Sequence, residues 1–189
     1  SNTIAAGAAT GSGVGPNSLN SVYGIVKAYT TRVGRGPFPT ELTGEVGDHL
    51  QTKGHEFGAT TGRQRRCGYL DLVALKHAIR INGITDLVLT KLDVLSGLSE
   101  IKLATEYDLG GNTLSEMPAF HHTLDQCKPV YKTFEGWSED IQNIRDFNEL
   151  PQACKDYVAF IEEYTKVPIS IVSVGPGRGQ DFFRKNAWA

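Results

Sequence analysis

The sequence predicts an α/β fold, a mixed and largely parallel sheet flanked by helices with hairpin insertions. Three observations carry this. A helix-periodic segment, Tyr69 to Asn82, stops at Gly83 and runs into the apolar strand Ile84 to Thr90. A second helix, Pro151 to Thr165, likewise precedes the apolar run Pro168 to Val174. Unbroken apolar strands are covered on both faces, as in parallel sheets. Between these units Glu100 to Tyr107 alternates and ends on Leu109-Gly-Gly-Asn112, a hairpin signal.

Taken in order, Thr3 to Asn17 is small and glycine-rich and reads as loop. From Leu19 to Arg32 the spacing of Val22, Ile25, Val26 and Tyr29 predicts a helix, with a short extended stretch from Tyr29 to Val33. Gly34 to Thr40 is broken by two glycines and two prolines. Glu45 to Lys53 reads as a short helix and Phe57 to Gly68 as a polar loop. In the Tyr69–Asn82 helix, Leu70, Val73, Ala74, His77, Ala78 and Ile81 are expected to line one face. Val130 to Phe134 is strand-like. In the last helix Pro151 sits at the first turn, and Ala153, Tyr157, Val158, Phe160, Ile161 and Tyr164 lie on the side expected to be buried. Gly175-Pro-Gly-Arg-Gly179 ends the final strand.

The 189 residues are 40% hydrophobic, enough for a core. With 19 basic and 21 acidic residues the net charge of −2 argues against general affinity for nucleic acid or anionic membrane. Cys67, Cys127 and Cys154 are far apart, which points to reduced, buried thiols rather than zinc ligands or disulfides. No apolar run reaches membrane-spanning length and no leader pattern is present, so a cytoplasmic protein is expected. The chain opens without Met on Ser1-Asn2, which reads as a remnant of tag removal. A piece of a longer protein is therefore expected.

Three clusters could carry chemistry. Ala59-Thr60-Thr61-Gly62-Arg63-Gln64-Arg65-Arg66 packs arginines and hydroxyls into one loop. Arginine forks suit carboxylates and phosphates, while a solvated basic loop is the plain alternative. Thr90-Lys91-Leu92-Asp93 closes an apolar strand, where ligands of α/β sheets gather. A carboxylate there can accept from guanine N1–H and the exocyclic amine together; a simple helix cap is the other reading. Ser173-Val-Gly-Pro-Gly-Arg178 either cradles a ligand or only reverses the chain. There is no GxxxxGK[ST] phosphate loop and no evident acid/base pair. His77 reads as a packed histidine, and His121-His122 as a surface loop.

Together these stretches resemble the C-terminal part of adenylosuccinate synthetases. The resemblance is carried by Tyr23–Gly34, Gly36–Glu41, Gly54–Arg63, Leu89–Leu95, Gly136–Glu139, Leu150–Ala153 and Val167–Pro176, in family order from about Thr3 to Ala189, essentially the whole chain. Leu109 to Leu124 matches least, and Gln64 stands where many members carry a further arginine. The family joins IMP to L-aspartate at the expense of GTP. The IMP 6-oxygen attacks the γ-phosphate and the aspartate amine then displaces the phosphate, with Mg2+ in support.

The resemblance implies aspartate binding by Ala59, Thr60, Thr61, Gly62 and Arg63, with IMP against Val33, Gly34 and Arg63. It implies a GTP set of Arg65, Lys91, Asp93, Ser173, Gly175 and Pro176. The family's phosphate loop, catalytic aspartate and histidine, metal ligands and most of its dimer surface belong to an N-terminal half. This chain is thus expected to recognise substrates and to be inactive alone, its parent being a homodimer. A guanine-nucleotide-binding module without catalysis, and a purely structural piece, are the competing readings.

Overall fold

The computed structural model describes residues 3–185; Ser1-Asn2, read above as a tag remnant, lie outside the described residues. A parallel sheet forms the spine. Strand β1 (Tyr23–Lys27) pairs parallel with β5 (Asp86–Thr90), and β5 with β9 (Ile169–Ser173). Strand β10 (Asp181–Phe183) closes the far edge antiparallel to β9. Leu87, Leu89 and Val172 of this sheet are fully buried, as the apolar runs predict.

Helix α3 (Leu72–Asn82) and helix α5 (Gln152–Thr165) pack on each other and share one core with Leu87, Leu89 and Val172 of the sheet. Asp71 caps α3 by accepting from the Ala74 amide at 3.0 Å, and Gly83 ends it. The first residues of the predicted helix are instead a short strand, β4 (Leu70–Asp71), parallel to β6 (Leu98–Leu109). The helix therefore turns Leu72, Val73 and Leu75 inward, whereas Ile81 is exposed and His77 only half-buried. Pro151 directly precedes α5, which buries Cys154, Tyr157, Val158, Ile161 and Thr165.

Strand β6 pairs antiparallel with β7 (Asn112–Leu114) and β8 (Lys128–Trp137). The hairpin turn falls at Gly110-Gly111, both at positive φ (62° and 91°), which glycine adopts without a Cβ clash. A bulge between Ala104 and Glu106 shifts the register, and Leu103 and Ala104 just before it are both buried. The Lys128–Trp137 strand extends the predicted Val130–Phe134 run at both ends.

Three local predictions are corrected. Leu19 to Arg32 is not helical: it forms β1 and, after a turn, β2 (Thr30–Arg32). Tyr23, Ile25 and Val26 are strand formers, and pairing with β5 overrides an ambiguous spacing. Ile25, placed on the helix's apolar face, is 78% exposed. The glycine-rich start holds an alanine-rich helix, α1 (Ala5–Ser12), tied to the end of α3 by Ala5 N–H donating to Asn82 Oδ1. The polar loop ending at Gly68 finishes in β3 (Arg66–Gly68), antiparallel to β2. Helix α2 (Glu45–Lys53) lies where expected, and His121-His122 begin a short exposed helix, α4 (His121–Leu124).

Candidate functional site

Strands β1, β5 and β9 end level with one another, at Lys27, Thr90 and Ser173. That carboxyl edge is where side chains following parallel strands converge. The centre of the edge is Glu56, whose side chain is 0% exposed. Lys27 Nζ donates to both its oxygens at 2.8 and 2.9 Å, and Arg65 Nη1 to Oε2 at 2.9 Å. Tyr29 donates its hydroxyl to Oε1 at 2.6 Å and Lys91 its Nζ at 2.9 Å. Burial alone would raise the Glu56 pKa, but the donors from Lys27, Tyr29, Lys91 and Arg65 hold it down to about 2. An unpaired buried carboxylate would cost several kcal/mol; this one is saturated with donors.

Backbone geometry follows the same centre. Arg65 N–H donates to the Glu56 carbonyl at 2.9 Å, while Gly58 N–H donates to the Arg63 carbonyl at 2.8 Å. Residues 57–64 thus form a small hairpin whose tip is Ala59–Arg63. The tip is exposed, and among the described residues Arg63 has no carboxylate partner. Arg66 is spent structurally. It meets Glu41 through Nε and Nη2, and its Nη1 donates to the carbonyls of Gly34 at 3.2 Å and Gly36 at 2.9 Å. This fork holds the Val33–Gly36 turn beside the arginine hairpin, and Val33 remains 69% exposed.

Lys91 sits in left-handed backbone (φ 61°) and turns its ammonium inward, to Glu56 and the Gly54 carbonyl. Two residues on, Asp93 is 7% exposed and its Oδ2 accepts from Gln142 Nε2 at 3.1 Å. The Gln142 carbonyl in turn accepts from Gln180 Nε2 at 3.2 Å. Gln180 Oε1 accepts from the Gly177 amide at 2.6 Å, and Ser173 Oγ donates to the Gly175 carbonyl at 3.1 Å. Asp93 and the Ser173–Pro176 turn therefore belong to one network.

The structure gathers the arginine hairpin, Val33–Gly34, Lys91–Asp93 and Ser173–Pro176 along one edge. Sequence reading passed over three residues that organise them: Glu56, Lys27 and Gln142. Glu56 lay within the quoted Gly54–Arg63 stretch, but no spacing rule pairs it with Lys27 or Lys91. Cys67, Cys127 and Cys154 are free and buried, and burial, aided by the Glu56 charge, pushes Cys67 up to about 11. Among the described residues no helix is long and apolar enough to cross a membrane.

Comparison with known proteins points to one family. The family model described as adenylosuccinate synthetase matches residues 1–182. The chain is 59% identical over 178 residues to an adenylosuccinate synthetase of Desulforapulum autotrophicum, covering 94% of this chain and 42% of that protein. It is 53% identical over 189 residues to that of Desulfatibacillum aliphaticivorans, covering 100% of this chain and 44% of that protein. A solved structure, a fully ligated adenylosuccinate synthetase from Plasmodium falciparum, superposes with a TM-score of 0.94 at 45% identity. It covers 98% of this chain and 45% of that one. The chain thus spans less than half the length of the relatives it matches, and it belongs to the adenylosuccinate synthetase family.

Proposed function

We propose that this chain is the C-terminal, substrate-recognising portion (residues 1–189) of a GTP-dependent ligase joining IMP and L-aspartate into adenylosuccinate, a step of AMP biosynthesis. The observation that carries this reading is the shared edge. The exposed arginine hairpin, through Arg65, and the segment leading to Asp93, through Lys91, meet on one buried carboxylate, Glu56, in a chain of this family.

The roles follow from donor chemistry. Ala59–Arg63 receives the amino acid, Thr61 and Arg63 donating to its carboxylates while Thr60 and Gly62 shape the tip. Among the described residues Arg63 has no carboxylate partner, which leaves its guanidinium to fork one. Val33 and Gly34, held by the Arg66 fork, flank IMP, which Arg63 also approaches. Asp93 keeps lone pairs beyond those used by Gln142, and so can accept from two donors on guanine, a pair adenine lacks. The Lys91 stem lies along the base, Arg65 faces the nucleotide, and Ser173, Gly175 and Pro176 close the pocket.

Mg2+ belongs to phosphoryl transfer in this family. Among the described residues no His, Cys, Asp or Glu cluster could hold a metal ion, and Glu56 is saturated by cations. The residues here do not fit the ion, whose ligands are proposed to lie elsewhere in the full-length protein. The full-length protein is read as a cytoplasmic homodimer without nucleic-acid or membrane partners.

The test is adenylosuccinate formation by the full-length protein from IMP, aspartate and GTP, alongside Arg63→Leu and Asp93→Asn. Arg63→Leu is expected to raise chiefly the aspartate KM, and Asp93→Asn chiefly the GTP KM. Absence of any adenylosuccinate from the unmodified protein sinks the reading. An unchanged GTP preference in Asp93→Asn removes the guanine assignment.

A further inference from the structure

Glu56 touches both recognition elements, and its own side chain is fully buried. Its carbonyl and Oε2 both hold Arg65, at the base of the amino-acid hairpin, through Arg65 N–H (2.9 Å) and Nη1 (2.9 Å). Its Oε1 holds Lys91, two residues before Asp93, while Lys27 and Tyr29 anchor the carboxylate to the end of β1. One buried carboxylate thus faces three cations, each only about a third exposed (28%, 32% and 34%).

Backbone strain gathers at the same place. Three non-glycine described residues have positive φ, and two of them flank this carboxylate: His55 (49°), its chain neighbour, and Lys91 (61°). Left-handed backbone in such residues is costly and persists only where surrounding contacts impose it. Without Glu56, Lys27, Arg65 and Lys91 would repel one another and Lys91 would lose the partner that keeps its ammonium inward. The amino-acid hairpin and the guanine end would then relax together.

We propose that Glu56 is a positioning residue shared by the two subsites, a single buried counter-ion that sets the amino-acid hairpin through Arg65 and the guanine-facing strand end through Lys91. The proposal rests on the ligase reading above. Its particular content is that one substitution of a fully buried side chain shifts two substrates at once.

The experiment uses the full-length protein and its Glu56→Gln variant, which keeps shape but removes the charge. Turnover by the unmodified protein tests the ligase reading first; if there is none, that reading falls and this one with it. Given turnover, Glu56→Gln is expected to raise the KM values for GTP and for aspartate, each by about tenfold or more, with kcat changed less. A control, Leu124→Ala in the satellite cluster with Val73, Tyr107 and Cys127, lowers thermal stability yet is expected to leave both KM values in place. Tyr29→Phe removes one donor to Glu56 without removing charge, and serves if Glu56→Gln does not fold. Its expected effect is a smaller rise, about twofold, in the same two constants. A change confined to one substrate, no change in either, or an equal shift in the Leu124→Ala control overturns the proposal.

Discussion

Gln142 donates from Nε2 to Oδ2 of Asp93 at 3.1 Å, restraining a nearly buried carboxylate in the 3-10 turn that follows β5. The contact also joins two parts of the site, because the Gln142 carbonyl accepts from Gln180, whose own Oε1 stitches the Gly175–Gly179 turn. A carboxylate already aimed loses less entropy when a ligand docks on it.

Replacing Gln142 by Leu removes that restraint and leaves Asp93 with one charged hydrogen bond fewer. The expected loss is about 1–2 kcal/mol of guanine-nucleotide binding, or roughly a five- to thirtyfold rise in the GTP KM. Steady-state kinetics of the full-length protein checks this, and the aspartate KM is expected to hold.

Arg66→Lys keeps the charge but loses the fork. Arginine here meets Glu41 through two nitrogens and also donates to the Gly34 and Gly36 carbonyls, which one ammonium cannot reproduce. The Val33–Gly36 turn is expected to loosen. In the full-length protein this appears as a several-fold rise in the IMP KM, with a smaller effect on GTP.

Asp71 caps α3 and accepts the Tyr107 hydroxyl at 2.6 Å. Burial raises its pKa above the ordinary 3.8, against the Tyr107 and backbone donors that lower it. The folded state therefore binds the proton more tightly than the unfolded chain. This group's contribution is full below 3.8 and is lost as pH rises through the raised value. Asp71→Asn, which preserves the cap, is expected to abolish that component in unfolding curves taken across this window. Asp71→Ala loses the cap and strands a buried hydroxyl, and is expected to cost about 2–4 kcal/mol in denaturant unfolding.

Gly136 lies where β8 crosses β6 closely. A Cβ built there would stand 1.8 Å from the Leu98 carbonyl oxygen, so the strands must part to admit even a methyl group. Gly136→Ala is expected to destabilise by about 3 kcal/mol or more, read as a lowered thermal midpoint. An unchanged midpoint would show that the ribbon yields at this point.

Much of the architecture was legible in the residues. The apolar runs at Ile84–Thr90 and Pro168–Val174 did become buried parallel strands, because only two-sided burial suits such runs. Gly83 and Gly110-Gly111 marked their turns through backbone freedom, a local property. The strand-end Asp93 and the arginine loop stood out by composition and position along the chain. Local information failed where spacing was ambiguous, as in β1, read as helix until its pairing with β5 was known. It failed again over Glu56 and Gln142. A carboxylate among scattered carboxylates says nothing of Lys27, 29 residues before it, or of Lys91, 35 residues after it. Sequence carries propensity, turn chemistry and kinship. Which charges meet inside the protein depends on how strand ends align, and that is settled only when the sheet assembles and water leaves the space between them.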